Sequence, residues 1–580
     1  MTTELVYIVS FATALMFSLA MVPPILRFAG AFQLFDTPDH HAGNSEVGRK
    51  VHSKPIPRLG GIAIVISFFL TQMIWIKNSS MQGVYVGAAS IFLIGLLDDI
   101  ISVKAATKFT LQVVIAAATV HYCDLAPSQI LIFPNKIFTL WEPAALFLGT
   151  FIVVGAINTL NMIDGLDGLA GGIALIGITL LCYLYLISDR HLGTLLLLAC
   201  PLVGSILGFL RYNTHPAIIF MGDGGSNWLG FMLGVMMLLL LSMNTSTVGL
   251  HGSGQVIPLI SVICCLAIPI LDTASVMLGR WKRGVSPMSA DRTHMHHALL
   301  RIGLSHAQTV SALYFLALAI GVMGVLPVAF PGYNLDIAPY IGLTMVILFV
   351  LGTSKLEDNS TINLIKRRDN IRKTATYSWI SRGIRYWESI NRYALYLIFI
   401  AGPAFAGVVR PTMGYAAIAV ACLLASSIVA SMIRRSQDFI DAACLALAAM
   451  VLLIVNNSNL MSIEWLGNRV SIQPIYNALF GFLAISTLAL FIVTAKKRYL
   501  LVKPSDFLFL TIPLVLLLIP EPMRSEYKIN VISLRSIIIF ASVRTLASRS
   551  GHVLTKIKGV ALAALLFVYL AGVYGLKIVY

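Results

Sequence analysis

Long apolar segments recur along almost the whole chain, and they restrict its fold more than any other feature. A helix that crosses the hydrocarbon core of a bilayer needs roughly 20 apolar residues. Of the 580 residues, 58% are hydrophobic and only 11% are charged, whereas a soluble domain carries about 25% charged residues. So few charges cannot cover a water-facing surface of this size. The sequence therefore predicts an all-α, polytopic integral membrane protein with the bilayer as a partner.

The apolar segments fall into two sets, and each set predicts its own group of membrane helices. The first predicts about eleven helices, near residues 5–26, 61–76, 83–97, 109–123, 144–160, 168–187, 192–210, 227–243, 256–278, 308–329 and 337–352. The second predicts about seven more, near 394–409, 414–433, 438–456, 473–494, 506–519, 530–543 and 559–577, of which 506–519 and 530–543 are short. We therefore expect a membrane domain over residues 1–352 and a membrane extension over 393–580.

A basic, polar stretch over residues 353–392 separates the two sets, and we interpret it as a cytoplasmic linker. Tyr and Trp side chains mix with Arg near 376–390, a pattern typical of an amphipathic helix at the membrane surface. The composition of the chain changes most at this stretch, so we place the domain boundary there.

The loops between the apolar segments alternate between basic and nearly uncharged. The chain has 41 Lys and Arg against 25 Asp and Glu, a net charge of +16. The basic loops lie on one side of the bilayer if the N-terminus is external, and the positive-inside rule makes that side cytoplasmic. We expect a multi-pass protein of the inner (plasma) membrane. Basic residues confined to short loops give no reason to expect a nucleic-acid partner, whereas anionic lipids or a polyanionic substrate would feel the same field.

Two adjacent carboxylates, Asp98 and Asp99, follow an apolar segment at the predicted C-terminal end of a helix. A helix C-terminus carries partial negative charge, so two carboxylates there repel both each other and the helix end. A cation must offset them, and Lys104, Lys108 or a bound metal could supply it. The pattern favours a functional role over ordinary solvated loop charge.

A second polar segment places Asn158, Asn161, Asp164 and Asp167 at intervals of three residues. Residues at this spacing are neighbours on a helix. A third segment holds the glycine-flanked Asp223. Oxygen ligands of this kind suit Mg²⁺ better than zinc, although Asp223 could merely cap the next helix.

The histidine loop, which we define as residues 291–297, reads Asp-Arg-Thr-His-Met-His-His. Its histidines could bind zinc, bind an anion, or simply face solvent. Cations dominate the loop, and imidazole and guanidinium groups are good donors to a diphosphate, so we favour anion binding. The earlier loop that contains Lys50 and Arg58 adds cationic donors on the same face. Asp272, near the inner end of a helix, is a functional candidate or the partner of an Arg.

Taken together, these segments resemble the polyprenyl-phosphate N-acetylhexosamine-1-phosphate transferase family over roughly residues 1–350. The motifs are specific and follow the family's order. They are Lys50-x-His-x-x-Pro-x-Pro-x-x-Gly-Gly, Leu97-Asp98-Asp99 with Thr107-Lys108-Phe109, Asn161-Met-Ile-Asp-Gly-Leu-Asp-Gly168, Met221-Gly-Asp-Gly-Gly-Ser226 and Asp291-Arg-Thr-His-Met-His-His297.

The resemblance implies roles for particular residues. Asp98, Asp99 and Lys108 would be catalytic and serve the lipid phosphate. Asp167 and Asp223 would help to hold Mg²⁺, which Mn²⁺ could replace. The residues expected to bind the nucleotide-sugar are Lys50, Arg58, Asn161, Asp164, Arg292, His294, His296 and His297.

The histidine motif resembles the branch that uses UDP-N-acetylglucosamine to begin cell-surface polysaccharides. We therefore expect transfer of N-acetylglucosamine 1-phosphate from the UDP-sugar to polyprenyl (undecaprenyl) phosphate, with release of UMP. The alternatives are another UDP-N-acetylhexosamine or UDP-MurNAc-pentapeptide as donor, a membrane zinc hydrolase, a transporter, or an inactive scaffold. A transporter would place ionisable residues near the bilayer midplane, whereas these acids lie at helix ends. We expect a homo-oligomer, with the extension serving oligomerisation, partner docking, an acceptor-lipid role or transport.

Overall fold

The structure is a computed structural model, and the residues that it describes cover most of the first 353 positions and parts of the rest. They are 3–31, 55–76, 81–101, 103–133, 136–188, 193–249, 257–284, 294–301, 304–330, 333, 335–353, 389, 391–400, eleven scattered positions from 414 to 452, 462–465, 468–471, 478–487, 529–547 and 551–574. The chain forms two compact units. The first contains Met1–Asp358 and Lys503–Thr511, and the second contains Asn359–Val502 and Ile512–Tyr580.

The first unit is helical, as the apolar segments predict. Its helices are α1 (Thr3–Ala31), α2 (Gly60–Trp75), α3 (Gln82–Ile101), α4 (Ala105–Tyr122), α5 (Glu142–Ile163), α6 (Leu169–Ile187), α7 (Thr194–Asn213), α8 (Gly222–Gly249), α9 (Leu259–Cys264), α10 (Ala267–Lys282), α11 (Met295–Arg301), α12 (His306–Ala329) and α13 (Ala338–Thr353). Ten of the eleven predicted segments each coincide with one helix, and the predicted all-α membrane fold is confirmed.

The predicted helix over 256–278 is wrong in one respect, because the chain breaks there into α9 and α10. A turn joins the two helices: the Cys265 amide donates to the Val262 carbonyl (3.2 Å) and the Leu266 amide to the Ile263 carbonyl (3.0 Å). Pro269 has no amide hydrogen to continue a helical ladder through this point. Apolar composition alone carried no signal for the break.

A short hairpin, β1 (Gln129–Phe133) and β2 (Lys136–Thr139), connects α4 to α5. The strands pair antiparallel, with Gln129 opposite Thr139. This hairpin was not predicted from the sequence. It lies at the end of the bundle opposite the loop between α3 and α4, so it does not contribute to the site described below.

Seven helices among the described residues are long and apolar enough to cross a membrane. They are Val9–Ala31, Gln82–Ile101, Glu142–Ile163, Leu169–Ile187, Thr194–Asn213, Gly222–Ser242 and His306–Ala329. Gly60–Trp75 and Ala338–Phe349 are shorter apolar helices. Nearly all of the spanning part of α8 is buried, and it packs against α2, α3, α5 and α6. The first turn of α8 is therefore surrounded by other helix ends.

The second unit contains helices at 391–400, Ala478–Thr487, Ile529–Ala547 and Gly551–Tyr574, and a hairpin of Ser462–Trp465 with Asn468–Ser471. Four of the predicted segments, at 394–409, 473–494, 530–543 and 559–577, include these helical residues. The segment at 506–519 and nearly all of the predicted interfacial helix at 376–390 lie outside the described residues.

Candidate active site

The start of α8 is held by the loop that precedes α2. The Phe220 amide donates to the Pro57 carbonyl, the Gly60 amide to the Phe220 carbonyl and the Gly61 amide to the Met221 carbonyl, each at 2.8 Å. A Cβ on Gly61 would lie 2.5 Å from the Cα atom of Gly225. Glycine is therefore required for these two backbones to meet. Two motifs that are far apart in the sequence thus form one surface.

Asp99 binds the N-terminus of α8. Its two carboxylate oxygens accept the backbone amides of Asp223 and Gly224, both at 2.9 Å. The first amides of a helix lack partners within the helix, and a carboxylate satisfies both their hydrogen bonds and their partial positive charge. Asp99 therefore caps α8 from α3, a neighbouring helix, and places Asp223 beside the end of α3.

Lys108 is the cation that the adjacent carboxylates require. Its Nζ atom lies 2.8 Å from Asp98 Oδ2 and also contacts Asp223 Oδ2. Asp98 also accepts the Val103 amide through Oδ1 at 2.7 Å. Lys104, the other candidate, is exposed at the start of α4. Lys108 therefore joins the Asp98 motif to the Asp223 motif.

The asparagine-rich segment at the end of α5 reaches the same helix start. Asn161 Nδ2 donates to Ser226 Oγ at 2.9 Å, and Ser226 Oγ donates to the Gly222 carbonyl at 3.1 Å. The structure therefore brings Asn161 to the first turn of α8. Asn158, one turn earlier, donates instead to Gln112 Oε1 at 2.9 Å, so it ties α5 to α4.

Asp164 ends α5 in a region rich in negative charge. Desolvation by the surrounding protein, followed by the charges of Asp223 and Asp99, raises the pKa of Asp164 to about 7, while Arg58 acts to lower it. Asp223, Asp99 and Arg58 therefore each lie within electrostatic range of Asp164. Arg58 is exposed, as suits a side chain that would meet a soluble ligand.

Asp167 has different neighbours, which no sequence pattern indicated. Its Oδ2 atom lies 2.8 Å from His215 Nδ1 and accepts the Ala217 amide at 3.1 Å. Its own amide donates to His306 Nε2 at 3.2 Å, and the two imidazole rings stack with their centroids 4.3 Å apart. Burial acts to raise the pKa of Asp167, but the His215 hydrogen bond and the nearby His306 keep it below its usual value. His215 and His306 stand alone in the sequence, which gave no signal for their pairing.

Among the described residues, one cluster of donor atoms has the spacing of a metal site. Ligand atoms of Asp167, His215 and His306 lie within 4.8 Å of one another and could hold a metal ion. Mixed nitrogen and oxygen ligands of this kind suit transition metals, but two of these atoms are already engaged. Asp167 Oδ2 pairs with His215 Nδ1, and His306 Nε2 accepts the Asp167 amide. The carboxylates around Asp223 offer oxygen atoms alone, which is the set that fits Mg²⁺. The two predicted ligands therefore have separate partners, His215 for Asp167 and Lys108 for Asp223.

The described part of the histidine loop packs against the loop that contains Asp164. A Cβ on Gly165 would lie 2.6 Å from His296 Nε2. The rings of His294 and His296 stack with centroids 5.5 Å apart, and those of His296 and His297 lie 4.3 Å apart. Burial, and secondarily the charge of His297, lowers the pKa of His296 to about 3. His296 is therefore a neutral ring at physiological pH.

The structure thus gathers most of the predicted site residues around the first turn of α8. Asp98, Asp99, Lys108, Asn161 and Asp223 are joined there by direct hydrogen bonds or ion pairs. Asp164, Arg58 and the described histidines lie next to this group through electrostatic or packing contacts. Lys50 and Arg292 lie outside the described residues.

Comparisons with known proteins match this part of the chain. A family model described as Glycosyl transferase family 4 matches residues 81–241. The chain is 34% identical over 313 residues to a probable undecaprenyl-phosphate N-acetylglucosaminyl 1-phosphate transferase of Bacillus subtilis, covering 53% of this chain and 81% of that protein. It is 34% identical over 294 residues to a decaprenyl-phosphate N-acetylglucosaminephosphotransferase of Mycolicibacterium smegmatis, covering 46% and 70%. An undecaprenyl-phosphate alpha-N-acetylglucosaminyl 1-phosphate transferase of Escherichia coli K12 is 28% identical over 291 residues, covering 48% and 74%.

Proposed function

Because this chain belongs to the polyprenyl-phosphate N-acetylhexosamine-1-phosphate transferase family, within glycosyl transferase family 4, we propose that it is a membrane phosphoglycosyltransferase. It transfers N-acetylglucosamine 1-phosphate from UDP-N-acetylglucosamine to a polyprenyl phosphate such as undecaprenyl phosphate, and UMP is released. The observation that carries this proposal is the meeting of Asp98, Lys108 and Asp223 at the start of α8. This reaction would begin the membrane stage of a cell-surface polysaccharide.

The chemistry requires two anionic substrates to approach each other. A phosphate oxygen of the lipid attacks the phosphorus that bears the sugar, the bond from that phosphorus to the bridging oxygen breaks, and UMP leaves with that oxygen. Fixed positive charge around the reacting phosphates stabilises the transition state. Lys108 is the side chain that supplies it for the lipid phosphate, and Asp98 orients Lys108. When bound, Mg²⁺ or Mn²⁺ would neutralise the diphosphate.

We assign the metal to Asp223, with Asp167 as the second ligand that the family resemblance implies. Of these two acids, Asp223 is the one whose neighbouring carboxylates offer oxygen ligands alone. Asp99 holds the backbone of Asp223 in place through the α8 amides. Burial and the nearby carboxylate charges raise the pKa of Asp164, and a cation at this position would offset that repulsion.

The donor sugar nucleotide binds beside this centre. Arg58, Asn161 and Asp164 line the side formed by α5 and the loop before α2, and the described histidines His294, His296 and His297 close it from α11. Lys50 and Arg292 belong to the same two loops and add positive charge. The site faces the cytoplasm, where a soluble UDP-sugar is available, and the N-terminus is external. The protein is a multi-pass component of the inner membrane and forms homo-oligomers.

A direct test uses the purified full-length protein in lipid with a panel of radiolabelled UDP-sugars and undecaprenyl phosphate. The expected result is a lipid-linked N-acetylglucosamine and an equal amount of UMP, formed only with Mg²⁺ or Mn²⁺. Turnover with UDP-MurNAc-pentapeptide and not with UDP-N-acetylglucosamine would show that the donor is the alternative one. Uptake of a substrate into proteoliposomes without UMP release would instead make it a transporter.

The metal assignment predicts that Asp223→Asn loses nearly all transfer while the protein still inserts and purifies. The amide keeps the shape of the side chain but removes the charge that holds the cation. Asp336→Asn, at an exposed acidic residue, is the matched control and should transfer at the wild-type rate. A wild-type rate for Asp223→Asn, or full turnover in excess chelator, would refute the assignment of the metal to Asp223.

A further inference from the structure

Asp272 lies on α10 and is 1% exposed. Both of its carboxylate oxygens bind the start of the α11 region. Oδ1 accepts the Met295 amide at 2.6 Å, and Oδ2 lies 2.8 Å from His294 Nδ1. Neither α11 nor this pairing was predicted from the sequence, where Asp272 and His294 are 22 positions apart.

A carboxylate with so little exposure is stable only when hydrogen-bond donors surround it, because desolvating the charge is costly. The Met295 amide alone would be enough to tie α10 to α11. The second oxygen instead binds an imidazole nitrogen. When one nitrogen of a histidine binds a ligand or takes part in a reaction, a carboxylate bound to the other nitrogen commonly orients the ring. The contact therefore does more than anchor the backbone.

The pairing also decides which ring nitrogen of His294 carries the proton. An ionised carboxylate can only accept, so His294 Nδ1 must donate to it. Nε2 is then the ring atom left for another partner. The His294 ring stacks on His296, and His296 packs on Gly165. Through these contacts, the position of the His294 ring is linked to the loop that contains Asp164.

We propose that Asp272 is a positioning residue that fixes the tautomer and ring orientation of His294, so that Nε2 faces the donor diphosphate. This inference rests on the proposed function for the identity of the ligand, but the tautomer itself does not depend on it. Asp272 acts through His294 and has no contact of its own with the substrate. In the serine-protease triad, replacing the equivalent aspartate with asparagine preserves the geometry and lowers turnover by about 10⁴ through the wrong tautomer.

The kinetic test is a double-mutant cycle in the full-length protein. Asp272→Asn and His294→Ala should each lower turnover by about 10²-fold or more, as expected for loss of one oriented donor, and the double variant should be no slower than His294→Ala alone. Thr273→Val is the matched control, because this neighbour is also buried and its hydroxyl has no hydrogen-bond partner among the described residues. It should retain wild-type turnover.

Independent, multiplicative losses in the cycle would overturn the proposal, and so would full activity of Asp272→Asn. A general weakening of α10 would instead make the losses from Asp272→Asn combine multiplicatively with those from His294→Ala as well as with those from the unrelated Lys108→Ala. The expected contrast is non-additivity with His294 and additivity with Lys108.

A spectroscopic test separates this inference from the proposed function. In protein labelled with ¹⁵N-histidine, at a pH about two units above the usual histidine pKa of about 6.5, the His294 resonances should show a proton on Nδ1, and His294→Ala identifies them by their loss. Asp272→Asn should shift that proton toward Nε2, whereas Thr273→Val should leave it in place. A wild-type ring protonated on Nε2 refutes the inference whatever the substrate. The expected tautomer in a protein that transfers no sugar phosphate would refute the proposed function alone.

Discussion

Asp98 and Asp99 are adjacent in the sequence but have separate partners. Asp98 pairs with Lys108, whereas Asp99 accepts the first amides of α8. The repulsion expected between neighbouring carboxylates is offset by a side-chain cation for one and by a helix N-terminus for the other. A substitution of Asp98 therefore removes the partner of Lys108, whereas a substitution of Asp99 removes the cap of α8. Losses of activity at the two positions would have different causes.

Lys108→Ala should lower turnover by orders of magnitude, because it removes the positive charge that lies between Asp98 and Asp223. Lys104→Ala is the matched control, since Lys104 is exposed at the start of the same helix. Initial rates of lipid-linked sugar formation measure both variants. If Lys108→Ala changed only the thermal stability and kept the wild-type rate, the assignment of Lys108 to the lipid phosphate would be wrong.

His296 should make stability depend on pH. Its folded-state pKa of about 3 lies below the unfolded value of about 6.5, so the unfolded chain binds the extra proton first. Stability is therefore lost as the pH falls below about 6.5, by at most about 1.4 kcal/mol per pH unit. His296→Gln should lose less stability than the wild type between about pH 7 and pH 5 in thermal unfolding. His121→Gln, at an exposed histidine, should follow the wild type. Equal losses in all three proteins would mean that His296 titrates normally.

At the scale of elements, the N-terminus of α8 is where the motifs meet. Nearly all of its spanning part is buried, and neighbouring elements contact its first turn. The loop before α2 binds its backbone from one side, α3 caps it through Asp99, and α5 reaches it through Asn161. Helix packing thus positions side chains from distant parts of the chain around one helix terminus.

Gly95 lies where α3 closely approaches the backbone of the first turn of α8. A Cβ there would lie 2.5 Å from the Asp223 carbonyl oxygen, so Gly95→Ala must displace the first turn of α8 and with it Asp223. We expect at least about a tenfold loss of turnover, the equivalent of about 1.4 kcal/mol in the barrier. Gly155→Ala on α5 is the control, because its Cβ meets nothing within 4 Å. Transfer assays on both variants provide the check, and an unchanged Gly95→Ala rate would show that α8 can shift without cost.

At the scale of the whole molecule, every predicted motif lies in the first compact unit, which contains Met1–Asp358. The relatives from Bacillus subtilis, Mycolicibacterium smegmatis and Escherichia coli each match only about half of this chain. We propose that the second unit serves assembly or partner docking and not the chemical step.

A chain that ends at residue 392 should therefore still form lipid-linked sugar if it inserts stably. Donor binding by the shortened protein, measured alongside transfer, shows whether its site is intact. Normal donor binding without transfer would mean that the extension completes the acceptor site. The proposal that the second unit takes no part in the chemical step would then be wrong.

The sequence by itself determined that this is a helical membrane protein, and it indicated the chemistry expected at its candidate site. Apolar segments of membrane-spanning length dictate helices, because only internally hydrogen-bonded backbone is stable in hydrocarbon. Acids in loops where basic residues are the norm indicate a cation site. Both signals are local in the chain, so ten of the eleven segments could be located, and Asp98, Asp223 and His294 could be singled out as candidates, from the order of the amino acids.

Only the tertiary structure decided which of these groups meet. Lys108 and Lys104 are equally plausible partners for Asp98 in the sequence, and the packing of α4 against α3 selects Lys108. Asp167 and Asp223 look alike as metal ligands, yet one lies with His215 and the other with Lys108. Asp272 and His294 have no sequence signal that joins them. Such pairings depend on how helices cross and where glycines permit close contact, and those distances follow from three-dimensional packing, which spacing along the chain does not encode.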